Sequence, residues 1–152
     1  MIRQAGPGDV AAIKAIIQHP KVWPWVGGEL PEARAEFEPL FADKWVWLLG
    51  ADDNAVFIIH PAPFSPVACI GHYAVHPRRW TQADKALKEA IAWVFDHTTY
   101  EKITGFTPAN NRSAQRFAER AGFAVEGVIR KAYRVGNELM DVTVNGVSKH
   151  GH

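Results

Sequence analysis

Between Trp45 and Val75 three apolar runs follow one another with only short breaks, and no other feature restricts the fold of this chain as much. The runs are Trp45-Val46-Trp47-Leu48-Leu49, Ala55-Val56-Phe57-Ile58-Ile59 and Val67 to Val75. Each is rich in β-branched and aromatic residues and is bounded by turn formers, first Asp52-Asp53-Asn54 and then Pro61, Pro63 and Pro66. The first two runs predict a hairpin, and the third extends it into a mostly antiparallel sheet. Helical spacing frames this block. Asp9 is placed to cap a helix with Val10, Ile13, Ile16 and Ile17 on one face. His19-Pro20 ends that helix, because the residue before proline avoids the α region. Pro20 to Gly28 reads as a loop, and Pro31 suits the first turn of a helix running to about Phe41.

After His76-Pro77 a long helix is predicted from Thr81 to about His97, with Ala83, Leu87, Ile91 and Val94 near helical spacing. Ile103 to Phe106 is a strand, and Asn110 or Asn111 caps a helix that Gly122 terminates. Phe123 to Val135 and Leu139 to Val147 form a last hairpin turned at Gly136-Asn137. With an opening strand at Ile2 to Ala5 the order is β-α-α-β-β-β-α-β-α-β-β. That order predicts an α/β (α+β mixed) fold, a mixed, mostly antiparallel sheet of about seven strands flanked by about four helices.

Composition narrows the function. The 152 residues suit one domain, taken as 1–152, and 47% of them are apolar. A formal charge of +1 gives no global attraction to nucleic acid. No apolar stretch approaches the roughly 20 residues needed to span a bilayer, so no membrane partner is expected. The N-terminus lacks the apolar core of a signal peptide, which predicts a cytoplasmic protein. Cys69 lies in an apolar run and reads as a buried small hydrophobe rather than a nucleophile. Seven scattered histidines show no metal-ligand spacing, so no metal is expected.

The segment Asn111-Arg112-Ser113-Ala114-Gln115-Arg116-Phe117-Ala118-Glu119-Arg120-Ala121-Gly122-Phe123 resembles the N-x-x-A-x-x-x-x-E-[KR]-x-G-F signature of the Gcn5-related N-acetyltransferases (GNAT). Glu126-Gly127, Arg130, Gly136 and Asp141 continue it in a pattern similar to the branch that acetylates ribosomal-protein N-termini. The opening Ile2-Arg3-Gln4-Ala5 with Asp9-Val10 is also typical. The resemblance implies a GNAT-like fold and acetyl-CoA-dependent transfer of an acetyl group to a primary amine, a peptide or protein N-terminus or a small amine. It implies acetyl-CoA and an amine acceptor as partners and is compatible with a homodimer.

By the same resemblance acetyl-CoA enters where two strands splay near Tyr73, Val75 and His76, against exposed backbone N–H groups. Its pyrophosphate would meet a helix N-terminus, with Arg78, Arg79, Thr81, Gln82, Ala83, Asp84 and Asn111 as candidate cofactor contacts. The family's loop reads R-x-x-G-x-G. Here Arg79 to Asp84 fills that ground, with Gln82 and Asp84 in place of the glycines that let a backbone approach phosphate. Thr81 and Asp84 instead form a capping-box pattern. The tyrosine that many members carry before the Glu-Lys/Arg pair is Ala118 here, which leaves Tyr133 and Ser113 as candidate acids. His72 and His76 stand four apart on one strand, hence on one face, and His72 is the candidate base. Glu36 and Glu38 are further carboxylates near the acceptor side. Trp23 and Trp25 bracket a proline on the loop that would wall the acceptor pocket, whereas Trp45, Trp47 and Trp93 read as core. The alternative reading is a catalytically impaired GNAT fold serving as a CoA-binding or protein-interaction module.

Overall fold

A computed structural model describes residues 1–26 and 31–151. Among these, seven strands form one sheet: β1 (Arg3–Gln4), β2 (Val46–Gly50), β3 (Ala55–Pro61), β4 (Ala68–Val75), β5 (Lys102–Pro108), β6 (Ala124–Val135) and β7 (Glu138–Ser148). The spatial order is β1-β2-β3-β4-β5-β7-β6. Every neighbouring pair is antiparallel except β4–β5, which is parallel and is joined by the long crossover helix. The helices are α1 (Val10–Ile17), α2 (Trp23–Val26), α3 (Pro31–Glu36), α4 (Ala83–His97) and α5 (Arg112–Ala121). None is long and apolar enough to cross a membrane.

Strand alternation sends successive side chains to opposite faces, so the sheet carries two cores. On one face Leu48, Phe57, Cys69 and Val75 pack under Leu87, Ala90 and Val94 of α4 and Ala118 of α5. On the other Trp47, Leu49, Val56 and Ala74 pack under Ile13, Ile16 and Ile17 of α1, with Val22 and Trp23. The expected stripes of α1 and α4 are therefore those that bury, although Val10 and Ile91 are only half-covered. Burial pushes the Cys69 thiol up to about 12, which fits its reading as a buried hydrophobe.

Turn chemistry agrees in most places. Gly136 has φ +61° in the two-residue turn between Val135 and Glu138, and Gly122 ends α5 with φ +113°, a conformation that costs glycine little. Asn111 caps α5 by accepting a hydrogen bond from the Ala114 N–H at 3.2 Å.

Four local expectations need correction. Trp23-Pro24-Trp25 lies on a single helical turn, not a loop, because the Val22, Trp23 and Trp25 amides donate to backbone carbonyls three or four residues earlier. Gly27 and Gly28, the end of that expected loop, lie outside the described residues. The second helix stops at Glu36 instead of Phe41: Phe37 and Phe41 pack on the α1 core, and the Trp47 indole donates to the Leu40 carbonyl at 2.8 Å, which holds the segment in a non-helical path. Asp9 does not cap α1 through its side chain. Its carboxylate takes the Gly6 N–H and the Arg3 guanidinium, and these bonds hold it below the usual carboxylate range. The Thr81–Asp84 capping box is also absent: Pro77–Gln82 is a 3-10 segment, and α4 begins at Ala83 with Gln82 before it making no side-chain cap.

Candidate active site

The sheet is interrupted at one place. β4 and β5 are in register only from Ala68–Lys102 to Ile70–Thr104. Beyond Ile70, β4 stays paired with β3 up to Val75, while β5 continues along β7 to Pro108. The two parallel strands thus fork, and one edge of β4 is left without a strand partner. Backbone direction alternates along a strand, and this fixes which groups face the gap. The His76 N–H donates to Asn54 on the β3 side, and the Val67 carbonyl accepts from Glu101 on the β5 side. Tyr73 and Val75 share the phase of Val67, so their amides turn into the fork.

A cavity of about 860 Å³ passes through this gap. Its wall includes Leu87, Ala90 and Phe117 from the α4–α5 side and Ile17, Val22 and Trp23 from the α1–α2 side. Two molecules entering from opposite faces of the sheet would therefore meet at the fork.

On the α1–α2 side, His72 shares the face of Ala74 and forms part of the wall. Its ring is open to the cavity, yet most of its surroundings are protein. That burial, with His60 beside it, lowers its pKa to about 4, so the imidazole is neutral at pH 7. Its Nε2 lies 2.9 Å from Nε2 of His60, and Trp45 stacks on His60 with ring centroids 4.8 Å apart. Trp45 is thus a half-buried wall residue just before β2 and not core, whereas Trp47 is buried as expected. Trp93 is half-buried and stacks on His97.

His76 does not join His72. It follows β4, caps the 3-10 segment by accepting from the Arg78 N–H at 3.2 Å, and sets its ring edge-on against His19. Tyr133 does reach the cavity and donates its hydroxyl to the Pro24 carbonyl at 2.7 Å, tying β6 to α2. Trp23 and Trp25 line the same side, Trp23 buried and Trp25 about one-third exposed. Glu36 is exposed at the end of α3 and is not part of the wall, and Glu38 pairs with Lys14.

On the α4–α5 side, the Tyr73 hydroxyl donates to the Ala114 carbonyl at 2.9 Å, and burial pushes its phenol up. Tyr73 therefore offers the fork its amide, not its side chain. Ser113 is exposed on the wall beside it, and Asn111 spends its side-chain oxygen on the helix cap. Around the start of α4, Thr81 and Gln82 are exposed and Arg78 is exposed beside His76. Ala83 is completely buried and its amide donates to the Trp80 carbonyl, so it presents no group to a ligand. Asp84 stands in the first turn of α4, where its charge opposes an incoming anion. The buried Arg79 Nε has no hydrogen-bond partner among the described residues, and Arg79 is not part of the cavity wall.

Two residues at the site escaped the sequence reading, Trp80 on the wall and His60 behind His72. Trp80 lines the cavity and donates its indole N–H to the Val75 carbonyl at 2.8 Å. Nothing in the sequence distinguishes it from any exposed tryptophan. His60 sits at the far end of β3, and only the register of β3 on β4 brings it to His72. The weak signal was its period-2 phase with Ile58 and Val56.

The Acetyltransferase (GNAT) domain family matches residues 1–124. Among solved structures, spermidine N-acetyltransferase from Vibrio cholerae in complex with CoA and spermine superposes with a TM-score of 0.78 at 14% identity, over 99% of this chain and 96% of that one. A GNAT-family acetyltransferase from Bacillus anthracis gives 0.75 at 18% identity, over 98% and 94%. Ribosomal-protein-S5-alanine acetyltransferase from Vibrio fischeri gives 0.75 at 14% identity, over 97% and 92%. No curated protein matches the sequence significantly. The family match over most of the chain and the forked seven-stranded sheet agree: the chain belongs to the GNAT acetyltransferases.

Proposed function

We propose that this chain transfers an acetyl group from acetyl-CoA to a primary amine, and that a peptide or protein α-amine or a weakly basic small amine is the preferred acceptor. The observation that carries the proposal is the cavity through the β4–β5 fork, open to both faces of the sheet at the amides of Tyr73 and Val75. When bound, acetyl-CoA supplies the reactive thioester. The Tyr73 and Val75 amides point where a developing oxyanion needs donors. Arg78 and Arg79 supply positive charge beside the α4 N-terminus for pyrophosphate, with Thr81 and Gln82 at its rim.

His72 takes the ammonium proton, which frees the lone pair that forms the new C–N bond. As the C–S bond breaks, the thiolate takes up a proton, for which Tyr133 and Ser113 are hydroxyl candidates on the wall. An α-amine at about 8 gives up its proton more readily than a lysine-type amine at about 10.4, which is the basis of the acceptor preference. Trp23 and Trp25 give the acceptor an aromatic wall.

The test is thiol release from acetyl-CoA across a panel of peptides, small amines, lysine analogues and polyamines. Release with α-amines ahead of lysine analogues and polyamines is expected; no release with any amine would overturn the proposal. A second reading, a CoA-binding or interaction module, is favoured by Asp84 at the α4 N-terminus and by the Trp80 bond to the Val75 carbonyl. It requires that Gln82→Gly with Asp84→Gly raise CoA affinity sharply in a calorimetric titration; unchanged affinity removes it.

A further inference from the structure

We infer that His60 is a positioning residue that fixes the tautomer of His72 and so leaves the His72 Nδ1 lone pair for the cleft. This inference rests on the proposed role of His72 as the base. It follows from hydrogen-bond chemistry at four atoms.

The Pro61 carbonyl can only accept, and it lies 3.2 Å from His60 Nδ1, so that nitrogen carries the proton. A neutral imidazole with Nδ1–H has a bare Nε2. His60 Nε2 must then accept across the 2.9 Å contact, and His72 Nε2 must donate. The neutral His72 ring consequently has its lone pair on Nδ1. That nitrogen has no hydrogen-bond partner among the described residues, and the ring that carries it forms part of the cleft wall.

The geometry supports a true hydrogen bond and not a face stack. The two ring planes are 19° apart and the centroids 5.1 Å apart, well beyond the nitrogen separation. The nitrogens therefore lie between the ring centres, and the rings meet edge to edge, nearly coplanar, the alignment an N–H donor prefers. Trp45, stacked on the far ring at 17°, keeps His60 in that plane.

The arrangement also gives the proton a place to go. When Nδ1 takes a proton from the ammonium group, His72 becomes a cation with N–H on both nitrogens. Its Nε2–H already points at the His60 lone pair, and that hydrogen bond is kept through the protonation. No covalent bond changes, and solvent removes the proton after turnover.

The experiment is a long-range proton–nitrogen correlation spectrum of histidine-labelled protein at pH 7, with kinetics of His60→Leu and His60→Gln. Wild type should show His72 protonated at Nε2 and bare at Nδ1, and His60 the reverse. His60→Leu should mix the His72 tautomers and lower kcat on the order of tenfold with the KM for acetyl-CoA unmoved. His60→Gln keeps an acceptor oxygen and should restore the tautomer and most of kcat. A wild-type His72 bare at Nε2, or one whose tautomer is the same in His60→Leu, would overturn the inference. If His72→Gln retains full activity while the spectra are as expected, the base assignment fails and the tautomer assignment stands.

Discussion

The two faces of the sheet are built on different plans. The α4–α5 face is regular: a fifteen-residue helix and a ten-residue helix lie on Leu48, Phe57 and Val75, and small alanines on α4 let it sit close. The α1–α3 face is pieced together from helices of eight, four and six residues. Its short parts are tied to one another by side-chain bonds to backbone, Trp47 to Leu40, Gln18 to Arg34 and Tyr133 to Pro24. A cofactor common to a family needs an unchanging cradle, while an acceptor pocket is altered most cheaply where short elements are pinned by one bond each.

Leu48 and Leu49 give the sharpest contrast, since they are adjacent, both completely buried, and on opposite faces. Truncation to alanine should cost about 2–5 kcal/mol at each site in urea unfolding. If Leu49→Ala costs far less than Leu48→Ala, the α1–α3 face relaxes around a cavity and is looser than its contacts imply. A smaller effect is expected from Tyr133→Phe, which removes the hydroxyl that holds Pro24. Stability should fall by about 1 kcal/mol, and the KM for the amine should rise while the KM for acetyl-CoA is unmoved. Equal rises in both would mean that the tie supports the fork as a whole.

The least dramatic effect is one of pH. His72 titrates near 4 in the folded chain and near 6.5 when unfolded. Above 6.5 neither state binds the proton and stability is flat. Between 6.5 and 4 only the unfolded state binds it, so stability falls as pH falls. Partial burial and the neighbouring Arg78 lower His76 as well, which adds slope of the same sign. His72→Gln should flatten part of this slope in thermal unfolding followed from pH 7 to 4. An unchanged slope would assign the proton sensitivity to groups other than His72.

The same division governs what could be read from the sequence. The α4–α5 face was legible because long periodic segments, Gly122 and Asn111 announce their roles locally. The helix at Pro31 was drawn too long because Phe37 and Phe41 continue an apolar spacing that serves packing from a non-helical path instead. Helical spacing said nothing of the Trp23 turn, where one proline masks a single hydrogen-bonded turn. In the site, His72 was found because it lies on a recognisable strand, and His76 was grouped with it by periodicity that ends at Pro77. His60 was not found, because its meaning depends on which residue of a neighbouring strand stands beside it.

The fork also has a mechanical meaning. The sheet is two blades, β1–β4 and β5–β7, riveted over three residue pairs at one end. Small rotations about that rivet grow into large openings at Tyr73 and Val75, the farthest points from it. Whatever lays hydrogen-bonding groups along the free edge of β4 supplies the missing rungs and turns a hinge into a plate. Amide hydrogen exchange should then slow across both blades, including strands that never touch the ligand, as though the sheet had gained another strand.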